Sequence, residues 1–154
     1  RQQLHETAQG CLTAPNEDGY VAVHYATIRG QLATFRFIHE VEPASINHAD
    51  NIGQTPILYA VTGPENALEG RVGVIHFIAE VAPGIINHAN NDGATPMMAA
   101  AEMGLPDVVQ LIHTAAGPES VNEADNEGWA ALHWAASQNH IPVIKTLLEL
   151  RGLP

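Results

Sequence analysis

The chain has 154 residues, and 45% of them are apolar, which is enough for one domain with a hydrophobic core. Its 17 acidic residues outnumber 6 basic ones and give a formal charge of -11 with histidine neutral, which disfavours nucleic acid and anionic membranes as partners. Apolar runs are interrupted every few residues, so no segment predicts a membrane-spanning helix of about 20 residues. This charge favours a protein partner with a basic or neutral docking surface.

The cysteine content of the chain indicates the redox character of the cellular compartment. Cys11 is the single cysteine and cannot close a disulfide within the chain. This favours a cytoplasmic protein, although a protein exported to a periplasm or into a host cell would show the same pattern. The sequence opens at Arg1, not at methionine, which is compatible with a processed form that has lost a targeting segment.

A short motif recurs four times along the chain. It is Gly-Tyr-Val-Ala-Val-His-Tyr-Ala at 19–26, Gly-Gln-Thr-Pro-Ile-Leu-Tyr-Ala at 53–60, Gly-Ala-Thr-Pro-Met-Met-Ala-Ala at 93–100 and Gly-Trp-Ala-Ala-Leu-His-Trp-Ala at 128–135. The glycines are 34, 40 and 35 residues apart. A period of this size predicts a solenoid of stacked units, because one unit alone cannot bury its apolar face.

Each unit is predicted to contain two helices. In Thr55-Pro56 and Thr95-Pro96 the threonine can cap a helix and the proline can occupy its first position. Gly30 and Gly104 are placed to end the first helix. A second apolar cluster follows with the i, i+3 spacing of one helix face. Its members are Phe35 with Ile38, Ile75 with Ile78, Val109 with Ile112, and Ile144 with Leu147.

The segments between units predict turns. They are Ile-Asn-His-Ala-Asp at 46–50, Ile-Asn-His-Ala-Asn at 86–90 and Val-Asn-Glu-Ala-Asp at 121–125, and each runs into a glycine three residues later. Together with the motifs they resemble the ankyrin repeat, whose pattern is Asp-x-x-Gly-x-Thr-Pro-Leu-His-x-Ala-Ala, then Gly, a Val-x-x-Leu-Leu helix and a Val-Asn turn. The resemblance implies an all-α solenoid of stacked helix-turn-helix units with β-turn fingers.

The resemblance covers nearly the whole chain as a single domain over 1–154. Repeats are expected at about 16–47, 48–87, 88–122 and 123–154. Leu4-His5-Glu6 matches Ile38-His39-Glu40, which predicts a degenerate leading helix within 1–15. The first repeat has Val21-Ala22 in place of Thr-Pro, as an atypical end unit would.

The second repeat carries about six extra residues between its helices, with the insertion at 64–71. A long surface insertion costs little stability, so one interpretation is a tolerated loop. Insertions in solenoids also project from one face, often the one that engages a partner. A binding element is therefore the second interpretation.

No motif for catalysis or metal binding is present. The resemblance implies that His24 and His133 tie neighbouring turns together by hydrogen bonds. His48 and His88 hold equivalent positions in successive repeats, about 8–10 Å apart, whereas the ligands of one zinc each lie about 2 Å from the metal. The sequence has no phosphate-binding loop and no nucleophile elbow, and Cys11 has no expected base. We expect no enzymatic activity, no cofactor and no metal.

The resemblance also implies that finger tips and the exposed flank of each first helix form a concave, partner-binding groove. Tyr20 and Trp129 share one repeat position near opposite ends and are predicted hot spots, although Trp129 can instead cap the stack. Another repeat position, inside the first helix and next to the alanines, is occupied by Tyr25, Tyr59 and Trp134. These rings are predicted to contribute to packing within the stack. The predicted partner-binding residues are Glu17, Asp18, Tyr20, Ile28, Arg29, Asn51, Ile52, Gln54, Asn91, Asp92, Glu102, Met103, Asn126, Glu127, Trp129 and Gln138.

The predicted function is binding of another protein by a chain that is a monomer when free. The bound solenoid would occlude its partner, as an inhibitor or protective protein does, or scaffold it. The alternative is a regulatory or targeting fragment of a larger multidomain protein, or a bacterial effector. The apolar residues of 147–154 are compatible with a chain that continues or that ends in a partner contact.

Overall fold

The computed structural model describes residue 3 and residues 10–152. Gln3 and residues 10–12 are helical, whereas Leu4-His5-Glu6, on which the predicted leading helix rests, lies outside the described residues. Leu12 is partly buried and packs against the hydrophobic core.

The described helices form four pairs. They are α1 (Ala22–Ile28) with α2 (Leu32–Val41), α3 (Pro56–Thr62) with α4 (Leu68–Val81), α5 (Pro96–Met103) with α6 (Pro106–Ala116), and α7 (Ala131–Ser137) with α8 (Ile141–Leu150). The first helices of successive pairs contact one another, and so do the second helices. The predicted all-α solenoid with two helices in each unit is confirmed. Within residues 3 and 10–152, no helix has the length and apolar character needed to cross a membrane.

Short 3-10 helices at Pro43–Asn47, Pro83–Ile85 and Pro118–Val121 connect the units, and another at Glu65–Ala67 precedes α4. One core runs through the stack. Its fully buried members include Phe35, Ile57, Ile75, Met97 and Ile112, which come from both helix layers. Burying a side chain of this kind contributes about 1.5–3 kcal/mol, so stacking supplies the stability that a single unit lacks.

The Thr-Pro helix starts lie where the sequence predicts them. α3 and α5 begin at the prolines, and Thr55 and Thr95 precede them in extended backbone. The Thr95 hydroxyl accepts a hydrogen bond from the Met98 N–H at 3.3 Å, whereas Thr55 makes no such bond. Gly104 has a φ of 72° at the end of α5, a left-handed conformation that glycine adopts without steric cost.

The extra residues of the second repeat add one turn to α4. Val72 lies three residues before Ile75, as Pro106, the first residue of α6, lies three residues before Val109. Leu68–Arg71 therefore precede the level at which α6 begins. α2 begins at Leu32, which lies three residues before Phe35, the equivalent of Ile75 in the first repeat. The start of α2 is therefore also level with Val72.

Arg71 fixes this extra turn against α3. Its side chain is only 1% exposed, and its guanidinium donates hydrogen bonds to the carbonyls of Ala60 at 2.6 Å, Val61 at 3.1 Å and Pro64 at 2.8 Å. Burial lowers the pKa of this guanidinium. Because the carbonyls at a helix end lack partners within the helix, Arg71 satisfies the end of α3 and holds the chain that follows it.

The extra turn also packs against the first repeat. A Cβ on Gly70 would lie 1.8 Å from the Gly30 carbonyl oxygen, a distance that no side chain can occupy. Gly30 itself has a φ of 64°. The backbones of the two repeats therefore approach each other directly at this point, and the stretch is held on both sides by α3 and by the first repeat.

Candidate interaction surface

Each finger is closed by an Asp or Asn side chain. The Asp50 carboxylate accepts hydrogen bonds from the N–H groups of Ile52 at 3.0 Å and Gln54 at 2.9 Å. Asn16, Asn90 and Asp125 make the equivalent bonds in the other fingers. Such turns satisfy backbone donors locally and give the tip one conformation. We call the four tips and the adjoining exposed flank of α1, α3, α5 and α7 the finger surface.

Hydrogen bonds join neighbouring fingers. The Asn51 N–H donates to the Asp18 carbonyl at 3.1 Å, and the Asn51 side-chain amide donates to the Glu17 carbonyl at 2.8 Å. The side-chain amide of Asn126 donates in the same way to the Asn91 carbonyl at 3.0 Å. Two predicted partner-binding residues, Asn51 and Asn126, thus hold the surface together, although both remain exposed.

Tyrosines cover the first half of the finger surface. Tyr59 donates to the Asp50 carboxylate, and its hydroxyl lies 2.9 Å from that of Tyr20. Since one hydroxyl carries one proton, Tyr20 donates the second bond of this chain. Burial and the bond to Asp50 raise the pKa of Tyr59 above its usual range. The ring of Tyr20 also lies 5.7 Å from that of Tyr25, so Tyr20 is half-buried in a cluster of three tyrosines.

His24 links the first repeat to the second finger. Its Nδ1 accepts the Val21 N–H at 3.0 Å, so Nε2 carries the proton and donates to the His48 carbonyl at 2.9 Å. Burial lowers the pKa of His24, and the bond to the His48 carbonyl opposes that shift only in part. The expected hydrogen bond between neighbouring turns is confirmed for His24. His133 makes the local bond, to Ala130 at 2.9 Å, but it is exposed.

Two tryptophans lie at the other end of the finger surface. The rings of Trp129 and Trp134 are 4.9 Å apart, and Trp129 remains 37% exposed. The Trp134 Nε1–H donates to the Asp125 carboxylate at 3.2 Å. Burial by itself would raise the pKa of Asp125, but bonds from the N–H groups of Trp129 and Glu127 and from the Trp134 ring outweigh it, and the pKa is lowered. Asp125 is thus held ionised beside the tryptophans.

A recess of about 350 Å³ lies between the third and fourth fingers. Asp92, Asp125 and Glu127 contribute acidic groups to its lining, with Ala94 and Trp134. The third repeat has Ala94 where the first and fourth have Tyr20 and Trp129, and this small side chain leaves the space open. The surface here combines carboxylates with an aromatic ring.

Every predicted partner-binding residue is exposed or half-buried, so all of them are accessible. Tyr20 and Trp129 are far apart along the stack and belong to separate aromatic clusters. At the loop end of the first helices, Ile28 and Arg29 line a recess with Pro64 and Asn66 of the insertion. Gln54 is half-buried at the repeat position that Tyr20 and Trp129 share. The members at the finger tips are Glu17, Asp18, Asn51, Ile52, Asn91, Asp92, Asn126 and Glu127, and those towards the helix ends are Ile28, Arg29, Glu102, Met103 and Gln138.

Hydrogen bonds between the closing Asp or Asn of a finger and an aromatic side chain were not predicted from the sequence. They join Asn16 to Tyr25, Asp50 to Tyr59 and Asp125 to Trp134, each over nine residues. The constant spacing of these pairs is a signal in the sequence that could have identified them.

Within residues 3 and 10–152, no group of three or more His, Cys, Asp or Glu side chains is arranged to hold a metal ion. Cys11 is exposed as a free thiol.

A family model described as ankyrin repeats in three copies matches residues 67–153. The matched segment is more than half of the chain and runs from the start of α4 through α8. No curated protein matches the chain.

Proposed function

Since the chain belongs to the ankyrin-repeat family, whose repeats generally act as protein-protein interaction modules, we propose that it binds a partner protein through the finger surface. The observation that carries this proposal is the exposed ring of Trp129, which is held beside the ionised Asp125. A large aromatic side chain on a rigid polar surface is typical of an interface hot spot. We propose that all sixteen predicted partner-binding residues contribute to binding and that residues 1–154 belong to one domain with repeats at about 16–47, 48–87, 88–122 and 123–154.

The charge of the surface supports a partner with a basic or neutral docking face. Glu17, Asp18, Asp92 and Glu127 project from the finger tips, and Arg29 lies at the far end of α1. Complementary charge accelerates association and selects against acidic partners. We expect binding to weaken as the salt concentration rises.

Rigidity supports a role in covering or organising the partner. Hydrogen bonds between fingers, such as those of Asn51 and Asn126, hold the surface in one shape before binding. A surface ordered in advance loses little entropy when it docks. We propose that the bound protein occludes its partner, as an inhibitor or protective protein does, or scaffolds it, and that it acts without catalysis.

The test is affinity capture from the native host with the wild type beside Trp129→Ala, followed by titration of the captured protein. Trp129 is exposed and lies outside the buried core, whereas Tyr20 is hydrogen-bonded to Tyr59, so Trp129 is the more specific probe of binding. We expect the dissociation constant to rise about thirtyfold, the equivalent of about 2 kcal/mol.

The matched control is Ile141→Ala, which removes an exposed apolar side chain from α8, outside the finger surface. Equal affinity of wild type and Trp129→Ala, with a loss for Ile141→Ala, would contradict the proposed surface. Failure of every form to capture a protein would favour the alternative of a regulatory or targeting fragment or effector.

A further inference from the structure

A second concavity lies between α4 and α6, away from the finger surface. One recess of about 290 Å³ is bordered by Leu68 and Val72 on α4 and by Leu105 and Leu111 on the side of α6. A shallower recess continues from it between the same two helices, and Asp107 and Leu111 line both. We call the two together the outer groove.

The extra turn of α4 extends one end of the outer groove. On the side of the first repeat this turn is closed, because Gly70 packs directly against Gly30. On the opposite side α6 begins only at Pro106, which is level with Val72. Leu68 therefore extends beyond α6, whereas Val72 lies level with its first residue, and both side chains remain only partly buried. The insertion of the second repeat thus adds Leu68 to the apolar wall of the deeper recess.

Charge indicates which kind of molecule fits this groove. Asp107 lies at its centre, Glu80 lines its shallow part, and the sequence contains no Lys or Arg from residue 72 to residue 144. The same stretch carries eight acidic residues. An apolar floor with an acidic edge complements a segment that combines apolar and basic side chains. A second copy of this chain would bring like charges together, since each copy carries -11.

We propose that the outer groove docks an amphipathic, basic segment of a partner protein. A leucine- or phenylalanine-sized side chain of that segment enters the recess between Leu68 and Leu111, and lysine or arginine side chains pair with Asp107 and Glu80. The groove lies between second helices, whereas the finger surface is formed by tips and first helices. The protein thus offers two separate surfaces and can bridge two polypeptides.

The test uses two synthetic helical peptides with identical leucine and phenylalanine anchors. One carries lysine and arginine at the remaining positions of its polar face, and the other carries glutamate at the same positions. Binding to the full ¹⁵N-labelled chain is followed by NMR. We expect the basic peptide to shift the amide signals of residues 68–80 and 105–115 and to bind at least tenfold more tightly than the acidic one.

The variants Asp107→Asn and Glu80→Gln test the acidic edge, with Glu40→Gln as the matched control. Glu40 is the equivalent of Glu80 in the first repeat, is also exposed, and does not border the groove. We expect Asp107→Asn/Glu80→Gln to weaken the basic peptide about fivefold and Glu40→Gln to leave its affinity unchanged. Leu111→Gln, at a half-buried position, should abolish the shifts while the thermal transition is retained.

Signal shifts confined to the finger surface would overturn the proposal, as would equal affinity for the two peptides. Dimerisation of the free protein through residues 68–80 and 105–115 would also overturn it, because the occupant would then be a second copy. Trp129→Ala is measured in parallel and should leave the peptide affinity unchanged. A loss of partner capture by that variant alone therefore bears on the finger surface and not on the outer groove.

Discussion

Tyr59 and Asp50 lie nine residues apart and form a hydrogen bond in which the phenol donates to the carboxylate at the base of the second finger. The other oxygen of Asp50 accepts the N–H groups that close the finger turn. One carboxylate thus connects the finger to α3. The same arrangement recurs with Asp125 and Trp134, where an indole N–H takes the place of the phenol.

Replacing Tyr59 with phenylalanine should destabilise the protein. The change removes the donor to Oδ2 of the buried Asp50 carboxylate and the bond between Tyr59 and the Tyr20 hydroxyl, while Oδ1 keeps its two backbone donors, and we expect a cost of about 2 kcal/mol. We expect the melting temperature to fall by about 4–8 °C in a thermal scan followed by circular dichroism. Tyr25→Phe is the matched control, because the bond between Asn16 and Tyr25 is exposed, and its loss should be much smaller. Equal losses in the two variants would contradict the role of Asp50.

Acidification should destabilise the protein through His24. Its folded-state pKa lies below the ordinary value of 6.5, so the unfolded chain binds the proton more readily. The stabilisation from the neutral ring is complete above about pH 6.5 and is lost as the pH falls through the folded-state pKa. Urea unfolding between about pH 5 and pH 7 should show this loss in the wild type.

The variant His24→Asn should have a flatter profile over that pH range, because the titrating group is gone. His133→Asn provides the control, since His133 occupies the equivalent position but is exposed and accepts the local hydrogen bond from Ala130. It should keep the pH dependence of the wild type. A profile for His24→Asn that parallels the wild type would assign the acid sensitivity to other groups.

Arg71→Met should destabilise the second repeat. The variant leaves the carbonyls of Ala60, Val61 and Pro64 without the donor that now satisfies them, at a cost of about 3 kcal/mol. We expect a lower urea midpoint and faster amide hydrogen exchange in residues 63–71. Arg36→Met, at an exposed position on α2, should change the midpoint little. If Arg71→Met exchanges as slowly as the wild type, the guanidinium does not anchor this stretch.

Gly70→Ala should lower the free energy of unfolding even though Gly70 lies inside a helix. In an unhindered helix interior alanine is about 1 kcal/mol more favourable than glycine. Here its Cβ would clash with the Gly30 carbonyl oxygen, which forces the backbones apart at a cost of about 2 kcal/mol or more. Gly84→Ala, where no atom lies within 4 Å of the added Cβ, should be close to neutral in the same denaturation assay. A stabilising Gly70→Ala would show that the two repeats do not touch as described.

The sequence by itself determined the helix pairs and the fingers. Thr-Pro at 55–56 and 95–96 predicted the starts of α3 and α5, and glycines such as Gly104 predicted where first helices end. These features depend on contacts within a few residues, which the local pattern contains. The acidic charge and the lack of Lys and Arg from residue 72 to residue 144 are likewise evident from the sequence alone.

Only the tertiary structure decided how the insertion at 64–71 packs against its neighbours and which surface it extends. Arg71 is charged and would be expected at the surface, yet it is buried because the open end of α3 supplies acceptors to it. The contact between Gly30 and Gly70 joins residues 40 positions apart, and Leu68 extends the outer groove because α4 begins one turn before α6. Such features depend on how successive repeats stack, and the local pattern of one repeat does not specify the position of the next.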